Sequence, residues 1–119
     1  MSNAAILNPD AIRALRDLSP AGDSKFLREL ISIYLEDTPK QLIKLEKAIA
    51  SQDAGQVVHA AHTIKGSSGN FGATAFARLA QEMEAHGKSN NLAAAASALP
   101  ELKHGFAQVA SALKQLASS

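Results

Sequence analysis

One segment of the chain pairs an imidazole with an ammonium group at a spacing that could support nucleophilic chemistry. His62 and Lys65 are three residues apart, so on an α-helix their side chains are neighbours one turn apart. A neutral imidazole acts as a nucleophile near neutral pH without a separate strong base, and a nearby ammonium group can stabilise an anionic group on the ring. The pair therefore indicates a histidine that accepts an anionic group, such as a phosphoryl group, from a docked partner.

Two glycines follow this pair on the helix surface. Gly66 and Gly69 stand four and seven residues after His62, in a chain where 24 of the 119 residues are Ala. Each interior helical Gly costs about 1 kcal/mol relative to Ala, so the use of Gly here indicates a surface that is kept bare. A bare surface lets the backbone of another macromolecule approach the imidazole closely.

The helical phase of this segment places His62 away from the core. Val57, Ala61 and Ile64 define a buried stripe when about 100° of rotation is assigned to each residue. On a helical wheel drawn with this rotation, the side chain of His62 lies about 140° from that of Val57. The phase therefore favours an exposed imidazole over a histidine that is buried in the core.

The segments that must position these residues are helical. Ala is frequent, Val, Ile and Tyr are scarce, and no segment alternates with period two for long enough to form a strand. Start and stop signals predict five helices. The first runs from Asn8 to about residues 19–22, and the second from Asp23-Ser24 to about Ser51. The third runs from about Asp53 to Gly69 or Asn70, the fourth from about Ala73 to His86 with Gly87 as its stop, and the fifth from about Leu92 to Leu116.

Two prolines fall inside these predicted helices. We expect Pro39 to kink the second helix or to break it into two pieces, and Pro100 to bend the last helix or to shift its start. Whether or not the prolines interrupt their helices, the series of predicted helices indicates an all-α fold. We expect an antiparallel four-helix bundle with a short additional N-terminal helix.

Length and composition restrict the class of protein. A chain of 119 residues fits one domain, and we expect residues 1–7 to be disordered or tag-like and residues 8–119 to form a single helical domain. The absence of Cys excludes thiolate chemistry and Cys-ligated metal sites, and a net charge of +1 disfavours nucleic-acid binding. The run from Leu92 to Leu99 is far shorter than the roughly 18 residues of a membrane span. No export leader is visible, so we expect a cytoplasmic protein without direct membrane insertion.

Residues Ala61 to Ala73 carry a contiguous signature. They read Ala-His-Thr-Ile-Lys-Gly-Ser-Ser-Gly-Asn-Phe-Gly-Ala, which resembles the His-x-x-Lys-Gly-Ser-Ser pattern, with a further Gly opening the next helix, of histidine-containing phosphotransfer (HPt) domains of bacterial-type phosphorelays. Ile64 stands where Leu is more usual, and both side chains fill the core. The resemblance extends over most of the chain, from the short first helix through a long second helix with Thr38-Pro39 to the signature helix and two more helices.

The resemblance implies a role for each matching residue. His62 would accept a phosphoryl group from a phospho-aspartate of a receiver domain and pass it to the aspartate of another receiver. Lys65 would support the phosphoryl group, and Gly66 would permit close docking. Gly72 would shape the turn into the fourth helix, and Lys88 is a further basic candidate near the site.

The partners implied by the resemblance are response-regulator receiver domains, with a hybrid sensor histidine kinase as a further one. No Walker-type phosphate loop or other glycine-rich nucleotide fingerprint is present, so the chain would be a phosphoryl carrier and not an enzyme with its own ATP-binding domain. It would need no cofactor, since the receiver would hold any Mg2+ of the transfer complex. We expect a monomer whose apolar docking patch lies among Val58, Ile31 and Tyr34.

Other interpretations of the same residues stay open. The exposed helical face could belong to a protein-interaction module that binds or inhibits a non-receiver partner. His59 and His62 are three residues apart and could face one metal ion, but no further ligand is evident, so His59 is interpreted as a solvated neighbour of the site. Glu84 is interpreted, like the other acidic residues around it, as an outward charge.

Overall fold

Five helices make up the described part of the chain. The structure is a computed structural model that describes residues 6–19 and 24–118. The helices are α1 (Pro9–Asp17), α2 (Lys25–Ala50), α3 (Ala54–Gly69), α4 (Thr74–Lys88) and α5 (Leu92–Ser118). These two ranges contain no strand, and the all-α prediction is confirmed. No helix within them is both long and apolar enough to cross a membrane.

The four long helices pack as a bundle, and the short α1 lies against α2. α3 packs on α2 and α4, and α5 packs on α4 and α2, so each long helix has two long neighbours. Three or four residues connect each long helix to the next, which favours antiparallel neighbours. The predicted four-helix bundle with a short additional N-terminal helix is therefore confirmed.

A continuous apolar core runs through the bundle, and one face of α3 lies in it. Val57, Ala61 and Ile64 are completely buried, which is the stripe that the helical phase predicts. The largest buried side chains of the other helices are Leu27, Ile31 and Leu45 of α2, Met83 of α4, and Leu102 and Leu113 of α5. Burying a side chain of this size stabilises the fold by about 1.5–3 kcal/mol, and the stripe thereby fixes the rotation of α3 about its axis.

A buried hydrogen bond ties the end of α3 to α2. The hydroxyl oxygens of Tyr34 and Ser68 are 2.7 Å apart, and both residues are buried. Burial raises the pKa of Tyr34 to about 12, so its phenol stays neutral in this contact. The ring of Tyr34 also meets Phe71 edge-on, with 5.1 Å between the ring centroids. Tyr34 thereby anchors both the last turn of α3, through Ser68, and the connection to α4, through Phe71.

Local signals account for both ends of α3. Asp53 caps the first turn, since its carboxylate accepts a hydrogen bond from the backbone N–H of Gln56 at 3.2 Å. After Gly69 the chain turns through Gly72, whose φ of +69° is the left-handed conformation that glycine adopts readily. The carbonyl of Gly72 accepts a hydrogen bond from the N–H of Asn8 at 3.0 Å, so the same turn also holds the start of α1.

Neither proline interrupts its helix. α2 runs through Pro39, so the predicted division into two pieces is wrong, and α5 begins at Leu92 and contains Pro100. A proline removes one backbone donor, whereas Thr38 and Leu42 on either side of Pro39 are both buried. Packing on both sides of the proline therefore keeps α2 continuous.

Gly87 does not end α4, contrary to the prediction. The helix continues to Lys88, and Gly87 is buried against α3. A Cβ atom at Gly87 would lie 2.9 Å from Cγ2 of Val58 and 3.0 Å from Cγ1 of Val57. The glycine therefore permits the close approach of α3 and α4 instead of stopping a helix.

The predicted boundary of the N-terminal segment is placed too late. Of the residues expected to be disordered or tag-like, 1–5 lie outside the described residues, but Leu7 is buried in the core and Ile6 packs against it. Asn8 caps α1 as predicted, because its side chain accepts a hydrogen bond from the N–H of Asp10 at 2.8 Å. The other predicted boundaries in this part of the chain lie outside the described residues, namely the stop at residues 20–22 and the start at Asp23.

Gly72→Ala should lower the free energy of unfolding by about 1–3 kcal/mol, because its Cβ would lie 2.5 Å from Cβ of Asn8 in a left-handed conformation. Gly66→Ala is the matched control, since a Cβ there meets no atom within 4 Å. Alanine is the better helix former, so this control should be more stable than the wild type by about 0.5–1 kcal/mol. Urea unfolding followed by circular dichroism measures both changes. Equal stability of the two variants would contradict the importance of the Gly72 turn.

Candidate functional site

His62 lies on the exposed face of α3. Its side chain is 66% exposed, whereas Ala61 and Ile64 close to it in sequence are completely buried. The ring Nδ1 is 3.3 Å from Oε2 of Glu84, a residue of α4. Within the described residues no hydrogen-bond partner faces the second ring nitrogen, Nε2. Nε2 is therefore the nitrogen that another molecule can reach.

A buried carboxylate stands at the centre of the site. Glu84 is only 5% exposed. Its Oε1 is 3.0 Å from Nζ of Lys65, and its Oε2 is 3.2 Å from Nζ of Lys88. The hydrogen bond from Lys65 is the largest influence on the pKa of Glu84 and lowers it, burial acts in the opposite direction, and Lys88 lowers it further. Because the net direction is downward, the carboxylate is ionised at neutral pH.

The prediction that Glu84 is an outward charge is wrong. Glu84 follows Ala80 by four residues and precedes Gly87 by three, so it belongs to the buried stripe of α4. This spacing is the signal in the sequence that could have identified it. A carboxylate on a buried stripe must be paired with cations, and Lys88 stands four residues later on the same helix.

The two lysines reach Glu84 from different helices. Lys65 comes from α3, one turn after His62, and its side chain is 32% exposed. Lys88 is the last residue of α4, and its side chain is 66% exposed. The structure thus brings His62, Lys65 and Lys88, all named from the sequence, around one carboxylate.

The surface beside His62 lacks a side chain at two positions. Gly66 and Gly69 are exposed, and a Cβ at either glycine would meet no atom within 4 Å. Between them, the hydroxyl of Ser67 turns back onto the helix and donates to the carbonyl of Thr63 at 3.1 Å. The result is an open surface one to two turns from the imidazole.

The other site residues named from the sequence lie around this centre. His59 is exposed one turn before His62, and Val58 is half-buried against Gly87. Gly72 lies in the turn after α3, where it contacts the start of α1. In the part of the chain that the structure describes, no three His, Cys, Asp or Glu side chains group closely enough to hold a metal ion.

The predicted docking patch is partly wrong, because two of its three residues belong to the core. Ile31 and Tyr34 are buried, whereas the neighbouring Ile33 is 63% exposed. Ile33 lines a groove of about 180 Å3 between α1, α2 and the end of α3. This α1–α2 groove is also lined by Leu15, Leu30, Asp37, Ser67 and Asn70. Its exposed apolar wall begins close to the open glycine surface.

A match to a known family covers most of the chain, since the model of the Hpt domain matches residues 29–116. The chain belongs to the Hpt domain family. One relative of this Hpt domain is the phosphorelay intermediate protein rdeA of Dictyostelium discoideum, which is 34% identical to it over 89 residues. The aligned residues are 74% of this chain and 35% of rdeA, so the chain spans well under half the length of that relative.

The solved structure of histidine-containing phosphotransfer protein B (HptB) from Pseudomonas aeruginosa has the same fold as this Hpt domain. The TM-score is 0.87 at 25% sequence identity, and the alignment covers 95% of each chain. Hpt domains relay phosphoryl groups with receiver domains, and they carry the group instead of generating it from ATP. The family predicted from the signature, and with it the phosphorelay function of the domain, is therefore confirmed.

Glu84→Gln should remove a pH-dependent part of the stability of the Hpt domain. The pKa of Glu84 is lower in the folded protein than its ordinary value of 4.5. Its ion pairs therefore stabilise the fold above that pH, and this contribution is lost as the pH falls through the folded-state pKa. We expect the wild type to exceed the variant in free energy of unfolding by about 1–3 kcal/mol at neutral pH, and by less in acid.

Glu82→Gln is the matched control for this experiment, because Glu82 is exposed on the same helix. The control should stay within about 0.5 kcal/mol of the wild type under both conditions. Urea unfolding at about pH 7 and about pH 3 measures both variants. A wild-type advantage over Glu84→Gln that is the same at both pH values would show that the ion pairs are not its source.

Proposed function

We propose that His62 is the phosphoryl acceptor of this Hpt domain, and that the domain takes the group from a phospho-aspartate of one receiver domain and passes it to the aspartate of another. The observation that carries the proposal is the 3.3 Å contact between Nδ1 of the exposed His62 and the buried, ionised Glu84. It supports a ring that is held in one orientation with Nε2 facing solvent.

The contact with Glu84 selects the ring nitrogen that reacts. An ionised carboxylate only accepts hydrogen bonds, so Nδ1 of His62 carries the proton and donates a hydrogen bond to Oε2. Nε2 then keeps its lone pair and faces away from the protein. It is therefore the nucleophile of the proposed reaction.

The transfer step moves no proton. Nε2 of His62 attacks the phosphorus of the phospho-aspartate, an N–P bond forms, and the P–O bond breaks with its electron pair leaving on the aspartate carboxylate. The proton on Nδ1 stays on the ring, which becomes cationic beside Glu84. Transfer to the next receiver is the reverse of this step with a new aspartate.

Two lysines place positive charge close to the transferred group. Lys65 lies within ion-pair distance of Oε1 of Glu84, and Lys88 within ion-pair distance of Oε2, the oxygen that also contacts the ring. A phosphoryl group on Nε2 brings negative charge and three acceptor oxygens to this place. Positive charge close to the place of transfer stabilises the negative charge of that group.

The open glycine surface and the α1–α2 groove support docking of a receiver domain. Gly66 and Gly69 leave room for a partner's backbone, and Ile33 adds exposed apolar area in the adjoining groove. One chain supplies the whole site, which supports a carrier that acts as a monomer. The cysteine-free sequence suits a reducing cytoplasm, where we also place the receivers that would bring Mg2+.

His62→Gln should abolish phosphoryl uptake and leave the fold intact, because the side chain is exposed and an amide nitrogen is not a nucleophile. Wild type incubated with a radiolabelled phospho-receiver should gain label that is acid-labile and alkali-stable, as nitrogen-linked phosphate is. His104→Gln, also exposed but on α5, is the matched control and should be labelled like the wild type.

Labelling of His62→Gln at the wild-type level would assign the acceptor to another residue. Receiver-independent binding of another protein that survives His62→Ala, without any labelling of the wild type, would favour the interaction-module interpretation instead.

Gly66→Arg should slow transfer from a phospho-receiver by about tenfold or more, equivalent to about 1.4 kcal/mol, because the new side chain would fill the open surface where the partner docks. Its helix content and unfolding midpoint should equal or slightly exceed those of the wild type, since Arg is a better helix former than Gly and no atom opposes a side chain there. Ala107→Arg, exposed on α5, is the matched control and should transfer at the wild-type rate. If the loss of transfer only followed a loss of helix by circular dichroism, obstruction of docking would be the wrong explanation.

A further inference from the structure

The two oxygens of Glu84 have different partners. Oε2 is shared between Nδ1 of His62 at 3.3 Å and Nζ of Lys88 at 3.2 Å. Oε1 is 3.0 Å from Nζ of Lys65. His62 and Lys88 therefore share one oxygen, while Lys65 forms an ion pair with the other.

The two lysines also differ in their freedom to move. Lys88 is the last residue of α4 with a side chain that is 66% exposed, whereas Lys65 lies inside α3 with a side chain that is 32% exposed. An exposed lysine changes partner at little cost, because its ion pair is weak and water replaces the lost contact. When a more buried lysine leaves a buried carboxylate, both charged groups lose their partner while they are shielded from water. Breaking that ion pair therefore costs more free energy.

We propose that phosphorylation of His62 moves Lys88 from Glu84 to the phosphoryl group, while Lys65 stays on Glu84 as its permanent counter-ion. The proposal rests on His62 being the phosphoryl acceptor. Lys88 is then the lysine that contacts the phosphoryl group. Lys65 is a positioning residue that acts through Glu84 on the ring of His62, which differs from the direct support that the resemblance implies for it.

The charge balance of phosphorylation drives this exchange. When the N–P bond forms at Nε2, the leaving group departs with the electron pair of the broken bond, and the ring of His62 keeps its Nδ1 proton and becomes cationic. Oε2 of Glu84 then faces a cationic N–H as well as the ammonium group of Lys88, so it can release the ammonium. The phosphoryl oxygens carry roughly two negative charges and accept it.

The test uses phosphoramidate, a small donor that phosphorylates histidine and releases ammonia, so no receiver is needed. Lys88→Met should shorten the half-life of phosphorylated His62 by about two- to fivefold, the range that an exposed ion pair accounts for. It should leave the unfolding midpoint of the unphosphorylated protein unchanged. Lys103→Met is the matched control, because Lys103 forms an exposed ion pair with Glu46 away from this site, and its half-life should equal that of the wild type.

The decisive comparison is made in the Glu84→Gln background, where Lys65 has no carboxylate to neutralise. Adding Lys88→Met to Glu84→Gln should again shorten the half-life by about two- to fivefold. Adding Lys65→Met should change neither the half-life nor the unfolding midpoint, although Lys65→Met alone should lower that midpoint. The assignment of the two lysines is overturned if Lys65→Met shortens the half-life in this background and Lys88→Met does not.

A measurement on the wild type keeps the proposal testable if a variant fails to fold. The side-chain ammonium signals of Lys65 and Lys88 can be followed by nitrogen-15 NMR before and after addition of phosphoramidate. The Lys88 signal should shift on phosphorylation and the Lys65 signal should not, and the opposite pattern would refute the proposal. Failure of the wild type to form phosphohistidine at residue 62 would instead refute the proposed acceptor, which is a separate outcome.

Discussion

The arrangement of the site depends on one buried negative charge. When a carboxylate is buried, cations and hydrogen-bond donors of the protein must replace its contacts with water. Glu84 lies on the core-facing stripe of α4, where its carboxylate has little contact with water. It meets the imidazole of His62 at hydrogen-bond distance and forms ion pairs with the ammonium groups of Lys65 and Lys88. The ring of His62 is therefore oriented by a carboxylate that belongs to the core, and the contacts of Glu84 with His62 and Lys65 couple α4 to α3.

The remainder of the bundle keeps these two helices in a fixed relation. Ser68 bonds to Tyr34 of α2, and the turn at Gly72 returns the chain into α4 while also holding Asn8. The adjacent Ser67 bonds to its own helix instead. The signature thus mixes residues that maintain the fold with residues that face solvent, so its contiguous residues do not share one role.

Features with a local signal could be predicted from the sequence. The apolar period of α3, the cap at Asp53 and the exposed phase of His62 are contained within a few helical turns, and the structure agrees with each. The pairing of Glu84 with groups of α3 depends on how α4 packs against α3. The sequence pattern of a single helix does not show that packing. The sequence likewise leaves open whether Pro39 kinks α2 or divides it, and α2 is continuous because packing by other helices outweighs the local cost of the proline.

Gly87 influences the geometry of the site around Glu84 although it carries no charge. Its missing side chain sets how closely the backbone of α4 can approach Val57 and Val58, and the same helix carries the carboxylate and one of its cations. A homologous chain with a larger residue at this position would keep every polar group of the site and still hold them at different separations. Comparing such chains by their polar residues alone would therefore group together proteins whose sites differ in geometry.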